Sequence, residues 1–509
     1  MASETTDMVS ETTTGPAPVP TQVQWVEDYP GVRRARAEHA RPTNEDELRA
    51  VLSWAARAGR TITLRGGGQC LHGQSVGDDL VVDLSAFDRI AVDTASGVLV
   101  AGAGARWSDV HAALPPGWVL PNLVTTGAAS VGGTLIADSA SRFSSAFGTE
   151  ADGVRRARLV TADGSIIACD REGPHAALFR GLPGSVGLLG VLTSVEHRLI
   201  DLRHLAAADG SLRVRTVARK HPDARSLLAD LALELHEPPS TRAPRGAYGL
   251  LIPGGAALLF HSMYTHAPRA RRMPNHRRKD ALRVLLERAL RVPTVNRAVW
   301  RGIFAHYYAD GDHFVDDAAD FAFFMDARTT ARGPAQLLGL TSALVQQVIE
   351  LPFVGTVGAC RDVGALIDRC AGLCLRHAIE PMGWDVLPVR GDPPMRSHTL
   401  RLSTTIALGE TDDEGKAAAL FAAQASAALD HGGRVLPGKG VYADTATLAA
   451  SCKEQLVALA RLKEQWDPSG LFGGPFYRDV LRPAMQRASR ASAGTTTDRV
   501  VDAELGGPS

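Results

Sequence analysis

A chain of 509 residues exceeds what one ordinary hydrophobic core organises and predicts two large domains. Its 55 basic and 55 acidic residues cancel, and 45% apolar with 22% charged residues is the mix of a water-soluble globular protein. The lack of a basic excess argues against a nucleic-acid or membrane-surface partner, and no apolar run is long enough to span a bilayer.

Residues 1–24 read as a polar, Thr-rich disordered leader without the basic start or apolar centre of a secretory signal. Six scattered cysteines complete no metal pattern, and Cys370 and Cys374 are spaced for one helix face, so a reduced, cytoplasmic protein is expected. Only six of the 55 basic residues are Lys, a usage that suggests a GC-rich bacterial source. The first helix is capped by Thr43, carries the stripe Leu48, Val51, Leu52 and Ala55, and stops at Gly59. Strands follow near 61–65, 80–84 and 97–102, a short helix at 106–114, and strands at 157–161, 165–168 and 190–200. Strands this close together leave no room for crossover helices, so the fold class is α+β with mixed sheets. The run 98–104 superficially matches a dinucleotide fingerprint, but Trp107 stands at its third glycine position. Further on, β-like runs at 247–252, 257–264 and 397–407 alternate with helical patterns near 279–291, 335–347, 362–375 and 414–429. A last helix at 446–465 precedes a Ser- and Ala-rich tail, 483–509, that reads as disordered.

Between the strands at 61–64 and 80–84 lies Arg65-Gly66-Gly67-Gly68-Gln69-Cys70-Leu71-His72-Gly73-Gln74. Adjacent glycines leave backbone N–H groups uncovered, and such a turn can wrap a pyrophosphate. A second glycine motif, Ser130-Val131-Gly132-Gly133-Thr134, follows Pro121, Thr126 and Gly127. A third turn, 181–190, feeds a strand at Gly190 and Val191, and the end of the chain carries Lys439 and Tyr442 ahead of Asp467-Pro468.

These four motifs, in this order, resemble the FAD-binding domain of the vanillyl-alcohol oxidase and cytokinin dehydrogenase type (PCMH-type, with berberine-bridge and alditol oxidase relatives). The resemblance implies a two-domain fold: an FAD-binding domain at 25–202, completed by 426–482, with an inserted α/β substrate-binding domain at 203–425. It implies that Arg65, Gly66, Gly67, Gly68, Gln69, Cys70, His72, Gly73, Gln74, Pro121, Thr126, Gly127, Ser130, Gly132, Gly133, Thr134, Gly190, Val191 and Tyr442 line FAD. Gln69 stands where many members carry a flavin-linked histidine, and Ser130 where doubly tethered members carry cysteine. The FAD is therefore expected to be non-covalent, although Cys70 and His72 are chemically able to attach. Arg401 resembles an arginine beside the flavin in sugar-alcohol and lactone oxidases, with Thr399 in place of a glutamate. Lys439 resembles a lysine of the same vicinity. The cytokinin dehydrogenase base would fall at Arg158, which cannot take a proton at neutral pH, so that substrate is not transferred.

Seven of the chain's 28 aromatic residues fall within 304–324. Core packing explains most such clusters; the alternative is a wall facing an apolar or aromatic substrate. On that alternative Tyr307 and Tyr308 supply polar contacts, with Arg401 and Lys439 completing the catalytic set. The expected activity is hydride removal from a CH–OH or CH–NH carbon of a small substrate, with oxygen or another molecule as electron acceptor. Two alternatives stand beside it: a cytokinin-dehydrogenase-like amine oxidation, and a flavin-bound scaffold or cyclase without net redox change.

Overall fold

The computed structural model describes residues 16–122, 124–252, 255–267, 292–307, 311, 313–323, 326, 343–353, 357–391, 397–408 and 413–504. The first sheet contains β1 (Thr21–Glu27), β2 (Arg34–Ala40), β3 (Ile62–Arg65) and β4 (Leu80–Asp83), in the order β1-β2-β4-β3. β1 and β2 are antiparallel, whereas β4 runs parallel to both β2 and β3. The helix Glu45–Arg57 bridges β2 and β3, burying Leu48, Val51, Leu52 and Ala55 against Ile62, Leu80 and Val82. Its cap is Asn44, one residue beyond the expected Thr43: Asn44 Oδ1 accepts from Glu47 N at 2.9 Å. Thr43 instead donates its N–H and hydroxyl to the Glu47 carboxylate, at 2.8 and 2.9 Å.

The second sheet is antiparallel throughout. It contains β5 (Ile90–Asp93), β6 (Val98–Gly102), β8 (Val154–Val160), β9 (Ile166–Asp170) and β10 (Val191–Arg198), in the order β5-β6-β10-β8-β9. The short β7 (Trp118–Val119) pairs with β11 (Ile200–Asp201). The fingerprint-like run 98–104 is β6 and a turn; a Cβ on Gly104 would lie 1.8 Å from the Leu84 carbonyl oxygen, so glycine there serves packing.

The third sheet contains β12 (Arg213–His221), β13 (Arg245–Leu251), β14 (Ala257–Thr265), β15 (His313–Asp317), β16 (Leu344–Pro352), β17 (Gly383–Val389), β18 (Thr399–Ala407) and β19 (Arg434–Val435). Its order is β15-β12-β14-β13-β17-β18-β16-β19. The helices Ala224–His236, Val357–Arg376 and Asp413–Asp430 share a core with it: Leu227, Leu231, Leu366, Cys370 and Phe421 meet Leu259, Val345, Ile349 and Leu402. The whole is α+β, and no helix among the described residues is long and apolar enough to cross a membrane.

Four further expectations change. The helix expected at 335–347 gives way to β16 from Leu344 onward, where the β-branched Val345, Val348 and Ile349 are buried in the sheet. Residues 335–342, and the helix expected at 279–291, lie outside the described residues. The helix expected at 446–465 is two, Thr445–Ser451 and Lys453–Trp466. The tail expected to be disordered continues as a helix, Arg482–Glu504, because Ala484, Met485 and Ala488 bury in the same core as Leu456 and Leu459. At the other end β1 begins at Thr21, inside the expected leader; residues 1–15 are not described.

An early and a late segment of the chain meet. Ile62 N–H donates to the Leu471 carbonyl at 2.8 Å, and Gly473 N–H donates to the Ile62 carbonyl at 2.9 Å, which places 471–473 along the free edge of β3. Asp467 organises this return. Its carboxylate accepts from Leu471 N and Phe472 N, both at 2.8 Å, and from Lys463 Nζ at 2.6 Å. Lys463 also donates to the Phe472 carbonyl at 2.7 Å.

Candidate functional site

The turn after β3 is held open at its centre and tied at its ends. Arg65 Nη1 lies 3.2 Å from the Glu27 carbonyl and 3.4 Å from Ser75 Oγ. Gln69 Nε2 donates to the Gly67 carbonyl at 3.2 Å, and Gln74 Oε1 accepts from His72 N at 2.9 Å. Gly68 and Gly73 adopt φ of 68° and 73°, which favours glycine. Among the described residues, the N–H groups of Gly66, Gly68, Gln69 and Cys70 donate to no protein atom. A row of uncommitted N–H groups on a partly exposed glycine turn is what an anionic ligand needs.

The second glycine motif presses on the first. Gly67 N donates to Ser130 Oγ at 3.2 Å, and a Cβ on Gly67 would lie 2.3 Å from the Ala128 carbonyl oxygen. The helix Val131–Ile136 is seated by Gly132 N donating to the Ala103 carbonyl at 2.8 Å; a Cβ on Gly132 would meet Ala103 Cβ at 2.8 Å. Gly133 lies in the same helix, and Thr134 accepts from Trp107 Nε1 at 2.9 Å. Thr126 Oγ1 and Gly127 N both donate to Asp326 Oδ1, at 2.8 and 2.9 Å, so a side chain far along the sequence fixes this loop. Pro121 packs against Gly153. Gly190, at φ 142°, brings the chain against Val160, and Val191 pairs with Val160 at the start of β10.

The late segment joins the first turn directly. Gln74 Nε2 donates to the Pro437 and Lys439 carbonyls, at 3.2 and 2.5 Å. Val441 N donates to His72 Nδ1 at 3.3 Å, and the His72 ring meets Tyr442 edge-on at 4.3 Å. Burial, then the nearby Arg33, holds His72 down to about 4, so its ring is neutral. Burial pushes the Cys70 thiol up, away from the reactive thiolate. The Cys70 thiol is thus kept protonated, and the His72 Nδ1 lone pair is engaged by Val441.

Behind this junction lies a buried charge network. Arg401, on β18, donates from Nε to Glu350 at 2.7 Å, from Nη1 to the Asp138 carbonyl at 2.6 Å and from Nη2 to the Asp138 carboxylate at 2.6 Å. Arg434 pairs with the other Glu350 oxygen. Burial would raise the Glu350 carboxyl, but Arg401 and Arg434 hold it at about 2. Burial likewise opposes the charge on Arg401, and Glu350 and Asp138 outweigh it. Asp138 itself sits at φ 49°, a strained position that these contacts fix. Arg401 thus bridges two carboxylates and shapes the segment 137–139. Lys439, partly exposed, is lowered to about 8 by burial and then by Arg401.

The aromatic cluster is mostly core. Phe314, Phe321 and Phe323 are buried, Phe304 packs on the cluster of Phe260 and Trp300, and Phe321 meets Phe143 at 5.9 Å. Tyr307 ends the helix Pro293–Tyr307, but its side chain, like all of Tyr308, lies outside the described residues. Arg158 is on β8, paired with Glu45 at 2.7 Å, and Asp152 caps Thr149 N at 2.8 Å, so neither supplies a base. Sequence reasoning missed Glu350, Asp138, Asp326 and Glu150. The carboxylate sought beside Arg401 comes not from Thr399 on its own strand but from Glu350, its cross-strand partner on β16.

Residues 38–170 match the family model described as FAD binding domain. The chain is similar to an uncharacterized oxidoreductase of the fasciation locus of Rhodococcoides fascians, 30% identical over 160 residues, or 31% of this chain and 36% of that protein. It is also similar to an FAD-dependent monooxygenase of Fusarium proliferatum, 29% identical over 186 residues, 35% of this chain and 34% of the relative. A third relative is the decaprenylphosphoryl-beta-D-ribose oxidase of Mycolicibacterium smegmatis, 32% identical over 149 residues, 28% and 32% of the two chains. Each match spans about a third of the relative's length.

Proposed function

We propose that this chain, whose residues 38–170 form an FAD-binding domain of the PCMH type, is an FAD-dependent oxidoreductase acting on a CH–OH or CH–NH carbon of a small, aromatic or natural-product-like substrate. The observation that carries the reading is the junction of Gln74 with the Pro437 and Lys439 carbonyls, which sets the open N–H turn against the segment that carries Lys439. On this reading residues 25–202 with 426–482 hold FAD non-covalently, and 203–425 form the substrate-binding domain. The N–H groups of Gly66, Gly68, Gln69 and Cys70 would hold the pyrophosphate, with Gly67 tied to Ser130 behind them and Gly190 and Val191 along the nucleotide. Bound FAD supplies a hydride acceptor. Arg401 orients Asp138, and Lys439 places positive charge where the reduced cofactor would be negative. Tyr307 and Tyr308 are proposed substrate contacts on the chemistry of their phenols, and oxygen or another acceptor takes the electrons.

The test is anaerobic addition of a panel of alcohols and amines to the FAD-loaded protein. Bleaching of the flavin absorbance supports the reading. Turnover with an unbleached flavin would replace it by a scaffold or cyclase.

A further inference from the structure

The loop that runs into the second glycine motif is held from two sides. On one side the helix Trp107–Ala113 reaches it: Ser108 N donates to the Gly127 carbonyl and Trp107 N to the Ala129 carbonyl, both at 3.1 Å. On the other side stands Asp326, whose Oδ1 accepts from the Thr126 hydroxyl at 2.8 Å and from Gly127 N at 2.9 Å. Thr126 Oγ1 in turn accepts from Ala128 N at 3.3 Å. A Cβ on Gly127 would lie 3.0 Å from Asp326 Oδ2 and 3.0 Å from Ser108 Cβ, so carboxylate and helix both close on the backbone there. Two donors that could have met a phosphate are thus committed to a carboxylate, in charge-assisted bonds about twice as strong as neutral ones.

Asp326 reaches this loop because its own segment is rooted in the same core. The segment leaves β15 at Asp317, and Ala318 N donates to the Leu212 carbonyl at 3.1 Å. Phe321 and Phe323 are buried with Trp107, Val124, Ala129 and Val131. Phe323 meets the His111 ring edge-on at 4.7 Å, and Arg142 Nη1 donates to the Phe321 carbonyl at 3.3 Å. Asp326 N then closes a turn on the Phe323 carbonyl at 3.2 Å. The loop it holds bears on the pyrophosphate turn. A Cβ on Gly67 would run into the Ala128 carbonyl oxygen and lie 3.0 Å from Ser130 N, and one on Gly66 would lie 3.1 Å from Ser130 Cβ. Packing this close transmits a shift of the loop to the turn instead of absorbing it.

We propose that Asp326 is a positioning residue for the cofactor: it seats the loop 126–130 against the pyrophosphate turn, so that Thr126 and Gly127 serve FAD only through it. The inference rests on the FAD reading above. It carries a sign. If Thr126 and Gly127 donated to the pyrophosphate themselves, Asp326 would compete with FAD for them, and removing its carboxylate would tighten binding. In the positioning role the opposite holds. Without the carboxylate the loop relaxes, the N–H groups of Gly66, Gly68, Gln69 and Cys70 lose their preset arrangement, and FAD must order them as it binds.

Titration of the full-length, flavin-free protein with FAD, followed by flavin fluorescence, tests this without a substrate. Asp326→Ala should raise the Kd by about ten-fold or more, and Asp326→Asn, which keeps an acceptor oxygen, should recover at least half of that loss on a logarithmic scale. Thr126→Val should raise the Kd by roughly three-fold. The double variant Thr126→Val/Asp326→Ala should bind no more weakly than Asp326→Ala alone, because the hydroxyl acts through the carboxylate. Thermal unfolding of the flavin-free variants separates positioning from mere scaffolding: a lowered Tm with an unchanged Kd overturns the proposal. Tighter binding in Asp326→Ala, no recovery in Asp326→Asn, or additive losses in the double variant overturn it as well. Should Asp326→Ala not fold, Thr126→Val carries the test, and an unchanged Kd there is the overturning result. Failure of every substrate to bleach the flavin would sink the oxidoreductase reading and leave these affinities intact.

Discussion

Replacing Arg401 by Met removes three hydrogen bonds from a guanidinium that is 3% exposed, while keeping much of its length. Glu350 keeps Arg434, but Asp138 loses the cation that stabilises its left-handed backbone. Breaking a buried pair from one side typically costs about 3–5 kcal/mol. Glu350 gives a second route to the magnitude. Its carboxyl lies near 2 against an ordinary 4.5, a difference worth about 3 kcal/mol of stability. Because the folded value is depressed, that contribution is fully present above pH 4.5 and is lost as pH falls toward 2. In Arg401→Met the carboxylate is left buried with one partner, its pKa rises, and acid protonates it instead of unfolding the protein around it. Urea unfolding of the flavin-free protein, followed by fluorescence and circular dichroism, should show a variant weaker by about 3 kcal/mol at pH 7. The gap should narrow as pH falls from 5 to 3, and Glu350→Gln in the Arg401→Met background should cost less than in wild type. A gap under about 1 kcal/mol at pH 7, or one that stays constant with pH, would refute the role of this network.

Two further outcomes follow from the cradle. The purified protein should be yellow and release its FAD on acid precipitation, because Gln69 replaces the usual tether, the Cys70 thiol is kept protonated and His72 is engaged with Val441; flavin that stays in the pellet and maps to either residue contradicts this. Gly67→Val should abolish FAD occupancy in soluble protein, since its Cβ would be 2.3 Å from the Ala128 carbonyl, whereas Gly415→Ala, with nothing within 4 Å, should keep the wild-type flavin-to-protein absorbance ratio; a normal ratio in Gly67→Val would mean the turn does not hold the cofactor.

The glycine turns were legible because they answer to local rules. Gly68 and Gly190 need backbone angles that other residues rarely adopt, and Gly67 meets a carbonyl that leaves no room for a side chain. Their order along the chain then identified the domain. The charge network was not legible. Glu350 meets Arg401 only through the register of β16 on β18, and the segment before it has apolar spacing that suits a helix equally well. Glu150 and Asp138 carry no sequence signal at all, since Glu150 is distinguished by its burial and Asp138 by its backbone angle and its pairing with Arg401, 263 positions away. The aromatic run was ambiguous for the opposite reason: Phe321 and Phe323 have the composition of a binding wall and the environment of a core.

The joining of 471–473 to the edge of β3 sets a schedule for biosynthesis. The hydrogen bond from Thr63 to the Gly473 carbonyl, 3.4 Å long, spans 410 residues. At ordinary translation rates a ribosome needs roughly 20 to 80 seconds to cover that distance. During this interval β3 presents an unpaired strand edge, and nascent chains on one message stand close enough to pair through it. The N-terminal sheet is therefore the first part of the protein to be made and among the last to be finished. A chain truncated before Lys463 would keep every glycine of the cradle, yet would lack the segment 471–473 and the Lys463–Asp467 lock that close it. Expression of the first domain alone is thus a recipe for aggregation, and a circular permutant that begins near the inserted sheet, bringing 471–473 ahead of β3, would remove the wait.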